Sequence, residues 1–155
     1  MYRPGTDETN VQMSDVLCDF CHRAWTEDVP FIEGHRGAVI CARCLEVAFV
    51  ELEAGDGPNV VSGDYLCRLS REDDRDREAL RRAGEPGWRS PVDPEAVACR
   101  KVIRMAAAAL QKDPDFDWRK PEVPAAEGGG DAEGGDGGGD EGDADGGPGG
   151  NASGN

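Results

Sequence analysis

Cys18-Asp19-Phe20-Cys21 is followed by nineteen residues and then by Cys41-Ala42-Arg43-Cys44, and no other feature constrains the chain as much. Two Cys-x-x-Cys pairs so spaced have the form of a tetrahedral zinc site. Two intervening residues let the backbone turn tightly enough for both sulfurs to reach one ion, and the loop brings the second pair to its opposite side. Four thiolates close the coordination sphere, leaving no position for water or substrate, so such a site is structural rather than catalytic. Two disulfides, or a thioredoxin-like redox pair, are the competing readings. The redox reading expects one pair within a βαβ pattern, whereas here two pairs occur without it. The metal ligands expected from spacing are therefore Cys18, Cys21, Cys41 and Cys44, holding one Zn2+ per chain.

The flanking residues suit a small module around that ion. Asp15-Val16-Leu17 reads as a short strand feeding the first knuckle, and Ala38-Val39-Ile40 as a returning strand after the turn Gly34-His35-Arg36-Gly37. Trp25, Phe31 and Ile32 are the expected miniature core. Leu45, Ala48, Phe49 and Leu52 recur at helical spacing, predicting a helix over Arg43–Ala54 that Gly55 ends. His22 and His35 are expected to be solvated, since four cysteines already complete the ligand set.

Cys18-Asp-Phe-Cys21, Phe31-Ile32-Glu33-Gly34, Val39-Ile40-Cys41 and Cys44-Leu45-Glu46 together resemble the N-terminal four-cysteine zinc-binding domain of the ClpX unfoldase family. The resemblance covers about Val16 to Leu52. It implies a treble-clef-like fold that dimerises and recruits adaptors and substrates. The chain departs from that family in carrying no Gly-x-x-x-x-Gly-Lys-Ser/Thr phosphate loop, and in placing His22 where such knuckles usually have Gly.

Composition divides the remainder. No Lys or Arg occurs from Glu122 onward, where nine acidic residues are interleaved with glycine; of the formal net charge of −15 this leaves −6 for the preceding residues. A disordered tail is expected over residues 122–155, because it has too little apolar surface to offset the entropy of ordering. The expected organisation is a flexible leader (1–14), a zinc-binding module (15–55), a second zinc-finger-like unit with helices (56–121), and that tail. Small units seldom stabilise themselves by apolar burial alone, and a structural zinc contributes on the order of 10 kcal/mol or more of folding free energy. Met1 to Ser14 lacks the cationic start and apolar run of a secretory signal. A cytoplasmic protein, in reducing surroundings that keep thiolates free for metal, is the expectation.

The second half looks like the first written again. Asp64-Tyr65-Leu66-Cys67 echoes Asp15-Val16-Leu17-Cys18; Ala96-Val97-Ala98-Cys99 echoes Ala38-Val39-Ile40-Cys41; and the stripe Ile103, Ala106, Ala107, Leu110 echoes the first helix. In this alignment Ser70 stands for Cys21 and Val102 for Cys44, so residues 60–112 read as a degenerate zinc unit with Cys67 and Cys99 as its remaining thiols. The fold class expected is thus a small α+β zinc-binding, treble-clef-like module, duplicated. A rival reading starts one helix at Asp93-Pro94-Glu95 and runs it to Lys112, with Asp93 as N-cap. Arg71–Arg82 reads as a solvated helix with Asp73–Arg77 and Glu78–Arg82 ion pairs. Trp88-Arg89-Ser90-Pro91 reads as a turn, and Phe116 and Trp118 are expected to fold back on the last helix.

Nothing in the chain assembles a nucleophile with a base and an orienting acid. The expected function is a non-enzymatic module that binds protein partners, adaptor-like or substrate-recognising. Val47 and Val50 lie off the helix stripe, so a second surface is expected to cover them, either a second chain in a homodimer or residues 60–112. The alternative is a zinc-ribbon transcriptional regulator contacting polymerase or nucleic acid through Arg100, Lys101 and Arg104, against which the net acidity argues. Thiol redox chemistry at Cys67 and Cys99 is a third reading, and no membrane association is expected.

Overall fold

The computed structural model describes residues 1–7 and 9–124. From residue 125 the expected disordered tail lies outside the described residues.

Phe31–Glu33 (β1) and Val39–Cys41 (β2) form an antiparallel hairpin in the register Phe31↔Cys41, Ile32↔Ile40, Glu33↔Val39. The helix Ala42–Ala54 (α1) starts directly after Cys41 and stops where Gly55 takes a left-handed conformation, φ 84°, that other residues adopt only at a cost. Val60–Val61 (β3) then joins Gly87–Arg89 (β4) and Val97–Cys99 (β5) in a three-stranded antiparallel sheet with β4 central. The short helix Asp74–Ala79 (α2) lies between β3 and β4, and Arg100–Leu110 (α3) follows Cys99 directly.

The β4–β5 hairpin has the register of β1–β2, with Gly87 opposite Cys99, Trp88 opposite Ala98 and Arg89 opposite Val97. Buried Leu45, Ala48 and Leu52 of α1 have counterparts in Ile103, Ala106 and Leu110 of α3. Residues 97–99 are strand, and the continuous helix from Pro94 is overturned. Ser90 and Asp93 explain why: the Ser90 hydroxyl accepts from Val92 and Asp93 N–H at 3.1 Å each, so the segment turns before Pro94 rather than winding.

One core runs through both halves. Phe20, Ile40, Leu45 and Leu52 join Trp88, Val97, Ile103 and Leu110, and the Phe20 and Trp88 rings lie 5.8 Å apart. Phe31 and Ile32 pack against this core half-buried, but Trp25 is not part of it. Phe20, held inside the first knuckle and fully buried, fills the place expected for Trp25. Trp88 is strand rather than turn and is 1% exposed.

The charge run 71–82 is not a plain solvated helix. Asp73 caps α2 instead of pairing with Arg77: its carboxylate accepts from Asp76 N–H at 2.9 Å. Arg77 is fully buried over the Tyr65 ring and donates to the carbonyls of Tyr65 and Glu72 at 3.0 and 3.1 Å. Arg82 pairs with Glu72 at 2.7 Å and with Glu85. Residues 1–3 run back beside 15–17, with Tyr2 bridging Val16 and Arg3 N–H donating to the Asp15 carbonyl at 2.8 Å. Trp118 does fold back, but onto α1, where its indole N–H donates to Glu46 at 2.8 Å. Among the described residues no helix is long and apolar enough to cross a membrane.

Candidate metal centre

Cys18 and Cys21 sit on a knuckle whose turn is closed by a hydrogen bond from His22 N–H to the Cys18 carbonyl, 2.9 Å. His22 takes φ 58° there, the left-handed conformation that explains the usual preference for Gly. Its ring points away from the sulfurs to Asp93, 3.3 Å. The first knuckle is fastened to β2 by Asp19, whose buried carboxylate accepts from Val39 N–H at 2.8 Å while its own N–H donates to the Val39 carbonyl at 2.9 Å. Cys41 closes β2 and Cys44 stands in the first turn of α1, so hairpin and helix together present the second pair.

All four sulfurs lie within 4.8 Å of one another. Cys18 and Cys44 sulfurs are 3.9 Å apart, and those of Cys21 and Cys41 are 3.7 Å apart. Zinc–sulfur bonds of about 2.3 Å in a regular tetrahedron require sulfur–sulfur edges of about 3.8 Å, so the donor set fits a zinc-sized ion. Cys41 N–H also donates to the Cys18 sulfur at 3.3 Å, a contact that stabilises a thiolate. Hydrogen bonds from the Cys41 and Cys44 thiols pull Cys18 down to about 2, while holding a proton against Cys18 pushes Cys41 up to about 12 and Cys44 higher. Binding a dication displaces the protons that these thiols hold. Three of the four cysteines are buried and Cys21 is half-buried, and four thiolates would complete a tetrahedral zinc site. The four residues expected from the sequence are thus brought together, and the two histidines are not among them.

Cys67 and Cys99 occupy the corresponding places in the second half, both fully buried. Cys99 N–H donates to the Cys67 sulfur at 3.3 Å, as Cys41 does to Cys18. Arg71 N–H donates to the Cys67 carbonyl at 2.8 Å with φ 64°, matching His22. Ser70 takes the position of Cys21, its hydroxyl 4.0 Å from the Cys99 sulfur and 3.1 Å from Glu72. The Cys99 thiol, also 4.0 Å from Glu72, pulls Cys67 down to about 5 and is itself pushed up. Glu72 also pairs with Arg82 at 2.7 Å and with Lys101 at 3.7 Å. Among the described residues only the first cluster has three or more metal-binding groups within reach of one ion.

Sequence reasoning missed Asp19, Phe20 and Trp88, which position the knuckle. Asp19 and Phe20 are the two residues inside Cys-x-x-Cys, and a charged residue beside an aromatic between ligands was the available signal. No family model, no curated protein and no solved structure matches the chain.

Proposed function

We propose that the chain is a non-enzymatic protein-interaction module built on one structural zinc, in which a duplicated treble-clef-like unit keeps its full ligand set in the first copy only. The observation that carries the reading is the four-thiol cluster with edges of 3.7 and 3.9 Å. A closed thiolate tetrahedron stabilises a fold and offers no site for chemistry. The matched hydrogen bonds around Cys18 and Cys67 support duplication, with the second half retaining the shape after two ligands became Ser70 and Val102.

The nucleic-acid alternative loses its motive in this geometry. Arg104 is bidentate to Glu53 at 2.6 and 2.8 Å, Lys101 lies 3.7 Å from Glu72, and Arg100 donates to the Leu52 carbonyl. These contacts partly neutralise the expected basic stripe within the chain. The same contacts pack α3 on α1, while Val47, on the surface for which a covering partner was expected, stays 46% exposed.

Metal analysis with thiol counting tests the metal part: one zinc per chain, with four of the six cysteines protected by the metal and two not, is expected, and a metal-free folded chain overturns it. A peptide array probed with loaded and chelated protein tests the interaction part. Binding should vanish on chelation, and binding that survives overturns the link between metal and partner.

A further inference from the structure

The two halves differ at one place that bears on partners. In the second, β3 pairs with the outer edge of β4, Val60 opposite Trp88 and Val61 opposite Gly87, and Arg89 N–H donates to the Asn59 carbonyl at 2.9 Å. The corresponding outer edge of the first hairpin is that of β1. Its residues Phe31 and Glu33 match Gly87 and Arg89 in register, and among the described residues no backbone hydrogen bond is made on that side.

Beside this bare edge lies a groove of about 410 Å³ lined by Ile32, Leu69, Val102, Met105, Ala106 and Ala109. Of the counterparts by register, Trp88, Cys44 and Val47 line a smaller cleft of about 170 Å³ in the other half. Glu51, the counterpart of Ala109, fastens the approach to β3, its carboxylate accepting from Asn59 N–H at 3.0 Å and from the Asn59 side-chain amide at 2.9 Å. In the groove the corresponding residue is Ala109, so the polar clamp is replaced by apolar surface. Met105, 60% exposed, adds an adaptable apolar wall.

Resting on the module reading above, we propose that the β1 edge is a docking site for an extended apolar segment of a partner protein, which adds as an antiparallel strand where β3 adds in the other half. The chain itself supplies the template for the occupant. Main-chain bonds to Phe31 and Glu33 give affinity, and a β-branched side chain opposite Ile32 enters the groove, because opposite residues of an antiparallel pair share a face. Glu33 at the rim and the net charge of −6 before the tail favour a neutral or cationic segment. Because β3 fills the other edge, the stoichiometry is one segment per chain.

The test uses the full zinc-loaded chain and a capped synthetic copy of residues 57–63 carrying Asn59→Val and an arginine at each end. Amide shifts on titration should map to Phe31, Glu33 and the start of α3. N-methylation at the Val61 position removes the donor facing Phe31 and should weaken binding about tenfold, whereas at the Val60 position, whose N–H points outward, the change stays within about twofold. Ala109→Trp should fill the groove and abolish binding with zinc content unchanged. Shifts confined to Val47 and Val50 would keep the interaction reading and overturn this edge; no shifts at millimolar peptide, or equal effects of the two N-methyl groups, would overturn it as well.

Discussion

The hydroxyl of Ser90, on the turn of the second hairpin, donates to the carbonyl of Phe20 inside the first knuckle, seventy residues away. The reverse contact also exists: His35 N–H, on the turn of the first hairpin, donates to the Leu69 carbonyl of the second knuckle at 2.6 Å. Each half thus steadies the residue that follows the other half's first cysteine by two. A local metal site is in this way built into a core shared by both halves.

Gly34→Ala should break one of these contacts. A Cβ there would lie 2.6 Å from the Leu69 carbonyl oxygen, a backbone atom that cannot swing aside. The cost is about 1–3 kcal/mol, read as a fall in Tm of several degrees with zinc content unchanged. An unaltered Tm would mean that the halves do not bear on each other there.

Cys44→Ser should lose the ion. Removing one of four thiolates forfeits most of a binding free energy on the order of 10 kcal/mol that is coupled to folding. Metal analysis and circular dichroism should report no zinc and lost structure in the first half. A folded, metal-free variant would count against the structural role.

Arg77→Met should destabilise the second half alone. The guanidinium is buried and satisfies the Tyr65 and Glu72 carbonyls, and the latter also accepts from Cys67 N–H at 2.9 Å. Methionine fills the space but leaves carbonyls with fewer donors, at a cost of about 3 kcal/mol. Amide exchange should quicken around Cys67 while the first cluster keeps its zinc.

What the sequence carried and what it did not divide along physical lines. The ligand spacing, the α1 stripe and its Gly55 stop are local patterns and were readable as such. The β5 strand was readable only through its echo of Val39–Cys41, because Asp93-Pro94 imitates a helix start and local signals favour neither outcome. Arg77 and Trp88 were misplaced because their burial depends on the other half of the chain: a charged run and a Trp-Arg-Ser-Pro stretch look exposed until Tyr65 and Phe20 are set against them. Trp25, the wrong core aromatic, lost to Phe20 because the knuckle points inward what lies between its cysteines.

Val47→Glu with Val50→Glu bears on self-association. α1 packs on α3 within one chain, and the Val47 surface that stays 46% exposed is small, so light scattering should give the mass of one chain, 16.5 kDa, for wild type and variant alike. A wild-type dimer that the variant dissociates would instead establish the homodimer through this surface.

Ser70→Cys combined with Val102→Cys should create a second zinc site. Ser70 already stands 4.0 Å from the Cys99 sulfur, and the Cys67 sulfur accepts from Ser70 N–H of its own knuckle at 3.5 Å and from Cys99 N–H at the end of β5 at 3.3 Å. Val102 occupies the first turn of α3, three residues after Cys99, as Cys44 does after Cys41. The backbone is therefore arranged for four thiolates and lacks only two of them. Glu72 is neutralised by Arg82 and Lys101 and does not oppose the added charge. Zinc per chain should rise from one to two, and Tm should rise in zinc and fall back on chelation, since an ion that binds only the folded state stabilises it by mass action. Either single variant should bind no second ion tightly. If the double variant also stays at one zinc while remaining folded, the correspondence of Ser70 with Cys21 and of Val102 with Cys44 is wrong.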